Sequence, residues 1–198
     1  MMKLSSLSAL ALLSLSGCVN IGGKAVAPVA LLTLTADGGA GTDSARTAPT
    51  SETLGVALPL APQALNVTRI PVYDGSAQIT YIKGATWAEV PAALFKSLLI
   101  ETLSAKTSRL VLDPRVAPLS GGILLSGRLV QFGVDAPTGR AVVIYDALLT
   151  RPGGKTVMAH RFQAFAPVSA IEGSTAGRAL NQAANDVANQ VSEWVRAN

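Results

Sequence analysis

The sequence predicts an α+β fold of two layers: a mainly antiparallel sheet with two amphipathic helices packed on one face. Three observations carry this. First, three long stretches of apolar alternation, 123–134, 140–150 and 155–166, are joined only by Asp135-Ala136-Pro137-Thr138-Gly139 and Arg151-Pro152-Gly153-Gly154. Connections so short and so rich in turn residues make hairpins, and three hairpin-linked strands make an antiparallel meander. Second, apolar residues recur at helical spacing over 86–106 and again over 174–196. Third, the order runs strands, helix, strand, then meander and helix, with no internal repeat.

Taken in order, residues 29–35 (Val-Ala-Leu-Leu-Thr-Leu-Thr) predict a first strand buried on both faces. Residues 36–52 are Gly, Ala, Ser, Thr, Asp and Pro with almost no large apolar side chain. Such a segment cannot offset the entropy of ordering, which predicts a mobile loop. Residues 54–60 predict a second strand, closed by Pro59 and Pro62, and 70–73 with 78–82 predict a hairpin turned at Asp74-Gly75-Ser76. Thr86 and Glu89 are spaced as a capping box, so the first helix is expected to start at Thr86. Its buried face is Val90, Leu94, Leu98 and Thr102, widened by Phe95, Leu99 and Leu103, while Lys96, Ser97, Glu101 and Ser104 face away and Pro91 disturbs the first turn. A short strand follows at 109–112. The last helix carries a stripe of Ala176, Leu180, Ala184, Val187, Val191 and Trp194 or Val195, whose alanines let its backbone come close to its partner.

With 49% hydrophobic residues the chain can bury a core without disulfides or a metal. A net charge of +4 from only 14% charged residues, scattered along the chain and not interleaved with aromatics, argues against nucleic-acid binding.

The N-terminus has a distinct pattern. Lys3 precedes an apolar stretch over 4–15, and Leu15-Ser16-Gly17-Cys18 closes it with small residues and the single cysteine. A basic end, a short apolar core and a small-residue cut site make a secretory signal; the core is too short for a spanning helix, which needs about 20 residues. Cysteine right after Leu-Ser-Gly makes it a bacterial lipoprotein signal over 1–17. The Cys18 thiol then receives a diacylglycerol, cleavage frees its amine, and that amine is acylated in turn. A lone unmodified thiol in an oxidising compartment would be a liability, whereas a lipidated one is accounted for. Residues 18–28 then form a flexible tether, of which the ten residues 19–28 reach roughly 33 Å at ~3.3 Å each, and 29–198 a single domain. Val19, not an aspartate, follows Cys18, which predicts export to the periplasmic face of the outer membrane.

Motifs for chemistry are sparse. Leu119-Ser120-Gly121-Gly122 looks like the signature tetrapeptide of ABC ATPases, but no phosphate-binding loop accompanies it, and it reads as a turn leading into a strand. His160, the single histidine, alternates with Met158 and Phe162 with few acids near it, as a strand histidine would. No nucleophile elbow, His-Glu-x-x-His pair or carboxylate cluster occurs, so no catalytic, cofactor-binding or metal residue is assigned. Trp87 and Trp194 are expected at the ends of the two helices, on the edge of the core.

Several stretches together resemble a known family: the lipoprotein signal; Ile-Pro-Val-Tyr and Ile-Thr-Tyr between Ile70 and Tyr81; Thr-Trp-Ala-Glu-Val-Pro from Thr86 to Pro91; Leu-Val-Gln-Phe from Leu129 to Phe132; and Ser-Glu-Trp-Val from Ser192 to Val195. This is similar to the ABC-type transport auxiliary lipoproteins, which accompany MCE-type lipid transporters. The resemblance implies a non-enzymatic component, without cofactor, whose partners are an MCE-domain protein and the membrane holding its lipid at Cys18; a homo-oligomer is left open. Residues alone also admit a structural lipoprotein of another envelope complex, or an envelope hydrolase.

Overall fold

The longest strand organises the molecule. In the computed structural model, which describes residues 30–38, 46–117 and 121–198, the elements are β1 (Leu31–Leu32), β2 (Thr53–Val56), β3 (Arg69–Tyr73), β4 (Ile79–Trp87), α1 (Pro91–Lys106), β5 (Leu110–Leu112), β6 (Ile123–Asp135), β7 (Arg140–Thr150), β8 (Val157–Pro167) and α2 (Gly173–Ala197). On one side β6 pairs antiparallel with β7 from Leu124↔Thr150 to Asp135↔Arg140, and β7 pairs antiparallel with β8. On its other side two shorter strands share it. β2 runs parallel to its start, Leu54↔Ile123 to Val56↔Leu125, with β5 parallel beyond. β3 runs parallel to its end, Val72↔Val134 and Tyr73↔Asp135, with β4 and then β1 beyond. Between them Leu60 N donates to Gly127 O (2.9 Å) and Leu129 N to Leu60 O (2.8 Å).

The fold is α+β as predicted, and the meander and the β3–β4 hairpin are antiparallel as expected. Four short parallel pairings make the sheet mixed, while the long ladders that carry most of its pairing are antiparallel. Parallel partners come from segments far apart in sequence, joined by long crossovers that carry no turn signal.

β6 contains a bulge. Leu129 faces Tyr145 and Gln131 faces Ile144, leaving Val130 as the extra residue. The buried set therefore changes parity, from Ile123, Leu125 and Leu129 to Phe132 and Val134. Against this face lie α1 and α2, in contact with each other. Phe95 of α1 meets Tyr145 of β7 edge-on with centroids 5.2 Å apart, and Trp87 meets Phe132 at 5.7 Å. The α2 stripe is buried as read, with Val195 inside and Trp194 half-buried.

Several local expectations change, among them that of Lys96, which is buried (4% exposed) and not on the outer face of α1. The capping box does not form: Thr86 and Trp87 belong to β4, and α1 starts at Pro91 with Val90 extended before it (φ −62°, ψ 145°). Proline suits the first helical position, where its missing N–H costs nothing, and it pushes the preceding residue out of the helical region. Trp87 is consequently a core strand residue, 1% exposed, not a helix-end residue. The first strand is two residues long with Leu31 exposed, not a run buried on both faces, because it lies at the sheet edge. β2 ends at Val56, short of Pro59. Within the loop expected over 36–52, residues 39–45 lie outside the described residues; Arg46 Nη1 donates to Ser104 O (3.0 Å) and Thr50–Glu52 form a 3-10 turn.

Candidate functional site

Cys18, the lipidation site expected from the sequence, lies outside the described residues, but the way the described chain after it joins the domain is visible. Leu32 O accepts from Ala88 N (2.8 Å), and the Leu32 side chain lies on Gly177 of α2, where a Cβ would come within 3.1 Å of its methyls. Two asparagines of α2 then hold the next residues. Thr35 N donates to Asn181 Oδ1 (2.8 Å), Asn185 Nδ2 donates to Thr35 O (2.8 Å), and Asp37 N donates to Asn185 Oδ1 (3.0 Å). Asn181 and Asn185 are four apart, so both project from one helix face. A primary amide offers the donor and acceptor of a peptide group, and α2 thereby serves the segment as a neighbouring strand would. Asn185 is 1% exposed and also bonds Asn181 O (2.9 Å), so its donors are satisfied. The sequence reading did not find this clasp; its one signal was a pair of asparagines within an alanine-rich stripe.

Several clefts flank α2. A groove of about 370 Å³ runs beside the clasp, lined by Leu32, Thr33, Ser174, Gly177 and Arg178. A cleft of about 380 Å³ lies where both helices end, lined by Glu52, Thr107, Ser108, Arg109, Val195 and Arg196. Cations at helix C-termini offset the partial negative charge of the terminal carbonyls, which accounts for Arg196. These linings can hold polar groups; neither sets a hydroxyl beside a histidine.

His160 is exposed on β8, its ring 4.6 Å from that of Phe162 and 6.1 Å from that of Trp194. Its nearest partners are rings, as expected of a strand histidine. Of the Leu119–Gly122 tetrapeptide, Leu119 and Ser120 lie outside the described residues; Gly122 leads into β6, with space for a Cβ denied by Thr53 Oγ1 at 2.2 Å.

Charged groups pair within the framework. Lys96, 4% exposed on α1, pairs with Asp113, which also takes Arg115 Nη2 at 3.0 Å. Hydrogen bonds from Arg115 and Lys96 hold the Asp113 carboxyl well below the usual carboxylate range. Arg161 grips Asp146 through Nε (2.6 Å) and Nη2 (2.8 Å), lowering its pKa as well. Burial raises that of Tyr145, whose hydroxyl donates to Ser126 O (3.0 Å). Among the described residues no cluster of three or more His, Cys, Asp and Glu side chains could hold a metal, and no helix is long and apolar enough to cross a membrane.

The architecture is similar to that of solved proteins. A Xanthomonas campestris protein of the DUF330 family superposes with a TM-score of 0.67 at 19% identity, covering 84% of this chain and 94% of that one. An uncharacterized protein superposes at 0.64 with 17% identity, covering 74% and 94%. At such identities the likeness is one of fold. No curated protein matches the sequence significantly. The model of the ABC-type transport auxiliary lipoprotein component, however, matches residues 33–192, from the clasped segment through most of α2, and the chain belongs to that family.

Proposed function

We propose that this chain is a non-enzymatic, lipid-anchored component of an MCE-type ABC transport system, docking or assembling the phospholipid-trafficking complex at the outer membrane. The family match over 33–192 carries the reading, since the family is one of auxiliary lipoproteins of ABC-type transport. The Leu15-Ser16-Gly17-Cys18 pattern supports the anchor. In this reading 1–17 is removed and Cys18 is triacylated. Residues 18–28 are the tether and 29–198 the periplasm-facing domain. Each buried methylene contributes about 0.8 kcal/mol, so more than one acyl chain holds the protein stably on the membrane. Anchoring raises the effective concentration of the domain at its partner, and a weak interface then suffices. β1, paired with β4, is the first described element after the tether, so pull on the anchor would pass first into β4, with the clasp of Asn181 and Asn185 behind it.

The test is purification of the tagged lipoprotein from solubilised membranes. An MCE-domain protein should co-purify, and the yield should collapse for Cys18→Ser. Co-purification of a different envelope assembly in its place, or of the MCE protein equally with the unanchored variant, would overturn the proposal.

A further inference from the structure

The cleft where both helices end is built by four elements. The 3-10 turn before β2 brings Glu52, the end of α1 brings Thr107 and Ser108, the start of β5 brings Arg109, and the end of α2 brings Val195 and Arg196. The parallel register Thr53↔Leu110 sets the residues before each strand, Glu52 and Arg109, side by side. At about 380 Å³ the space is in the range of small-molecule sites. The ion pairs among the described residues join Lys96 and Arg115 to Asp113, and Arg161 to Asp146; none joins Glu52, Arg109 and Arg196. Carbonyls at the helix ends have other donors. Thr107 N and Thr107 Oγ1 both donate to Leu103 O (2.9 and 2.7 Å), Arg46 Nη1 to Ser104 O (3.0 Å), and Asn198 Nδ2 to Trp194 O (2.9 Å). The cleft thus holds two guanidiniums and a carboxylate that the framework does not pair.

Its polar groups sort into two sets. Arg109, Arg196 and the Ser108 hydroxyl offer donors, and a guanidinium fork matches phosphate oxygens. The Glu52 carboxylate only accepts, and so does Thr107 Oγ1, whose proton is committed to Leu103 O. Both helices turn their negative ends towards the cleft, which favours a cation. A lone anion would meet that field and Glu52, and a lone cation would meet two arginines. A ligand carrying both charges satisfies both sets. We propose that the cleft binds a phosphoethanolamine group, its phosphate on Arg109 and Arg196 and its ammonium at Glu52 and Thr107. Choline, whose nitrogen is fully methylated, has no N–H to donate to Glu52, and phosphoglycerol has no cation to place there. The same group heads a phospholipid and closes a soluble glycerophosphodiester. The proposal does not rest on the transport reading.

Titration calorimetry on the full lipoprotein, in a detergent that carries no phosphate, tests this with glycerophosphoethanolamine as the probe. It should bind saturably and about tenfold tighter than glycerophosphocholine or glycerophosphoglycerol, the size of one charge-assisted hydrogen bond. Arg109→Gln and Arg196→Gln should each weaken all three diesters about tenfold. Arg109→Lys, which keeps the charge and loses the fork, should fall between wild type and Arg109→Gln. Glu52→Gln should bind the ethanolamine and choline diesters equally while keeping both. All three side chains reach solvent, so the variants should melt with the wild type. Phosphatidylethanolamine added to the micelles should displace the probe where intact lipid enters the cleft. Failure to displace it assigns the cleft to the soluble diester, and the phosphoethanolamine site stands in both cases. No saturable binding of any diester, equal wild-type affinity for the ethanolamine and choline diesters, or an undiminished preference in Glu52→Gln would each overturn the proposal.

Discussion

β6 is served differently on its two sides. Towards β7 and β8 its neighbours follow it directly in the chain, through turns of a few residues, and pair antiparallel along its whole length. Towards β2 and β3 its neighbours come from the first half of the chain, pair parallel over two or three residues, and leave a gap bridged by Leu60. One flank is local and continuous, the other assembled from distant pieces. The first flank is a continuous backbone ladder covered by α2; the second is made of short ladders, and α1 covers its β2 and β5 part.

The largest effect should come from removing that side-chain cover. Leu98 of α1 is 2% exposed, and Leu98→Asp buries an unpaired carboxylate at a cost of several kcal/mol, comparable with the ~5–15 kcal/mol that holds a domain together. Circular-dichroism melting should lose its cooperative transition. Glu101→Lys, on the exposed face, should stay within about 0.5 kcal/mol of wild type. Equal melting of the two variants would break the assignment of α1's faces.

Next in size are two glycines, one for each flank. A Cβ at Gly127 would lie 2.1 Å from Asp146 O of β7, and one at Gly122 would lie 2.2 Å from Thr53 Oγ1 and 2.7 Å from Thr53 O of β2. Each Gly→Ala change should cost about 1–3 kcal/mol through forced backbone movement. Their kinetics should differ, because local contacts form before distant ones. Gly127→Ala should slow folding and Gly122→Ala should mainly speed unfolding, as read from the arms of a denaturant chevron. The reverse pattern would show that the distant flank forms first.

Acid should act unevenly on the flanks. Arg115 and Lys96 hold Asp113 below its unfolded value, so its contribution is present above about pH 4 and is lost as pH falls through the lowered value. Asp113→Asn removes that dependence and leaves buried Lys96 without its partner, so it should melt lower at neutral pH and with a flatter acid profile. Asp146→Asn should do less, since Arg161 and Asp146 are both well exposed to solvent. Melting temperatures followed from neutral pH into acid would test the ranking.

The most local change concerns the clasp. Asn185→Ala should cost about 1–3 kcal/mol as its partners lose their bonds. It should speed hydrogen exchange at Asp37 while leaving β6, β7 and β8 protected. Loss of protection in the meander would mean that the N-terminal segment supports the whole sheet.

The same contrast explains what the sequence made legible. The meander was readable to within two residues at each end because its turns are spelled out in Asp, Pro and Gly and its strands alternate. Parallel pairings of β2 and β3 with β6 were not, since nothing local encodes a partner roughly 60 to 70 residues away. The start of α1 was misread because Thr86 and Glu89 fit a cap while Pro91 determines where the helix begins. The clasp stayed hidden because its partners are 146 to 150 residues apart. The expectation at Cys18, by contrast, rests on its neighbours in the sequence alone and not on the fold.

Lipid attachment is the claim on which the account turns, and the mass of the mature N-terminal peptide tests it most directly. The account predicts a peptide that begins at Cys18 and carries three acyl chains, from protein recovered in the outer-membrane fraction. An unmodified Cys18, or a chain still carrying residues 1–17, would contradict it.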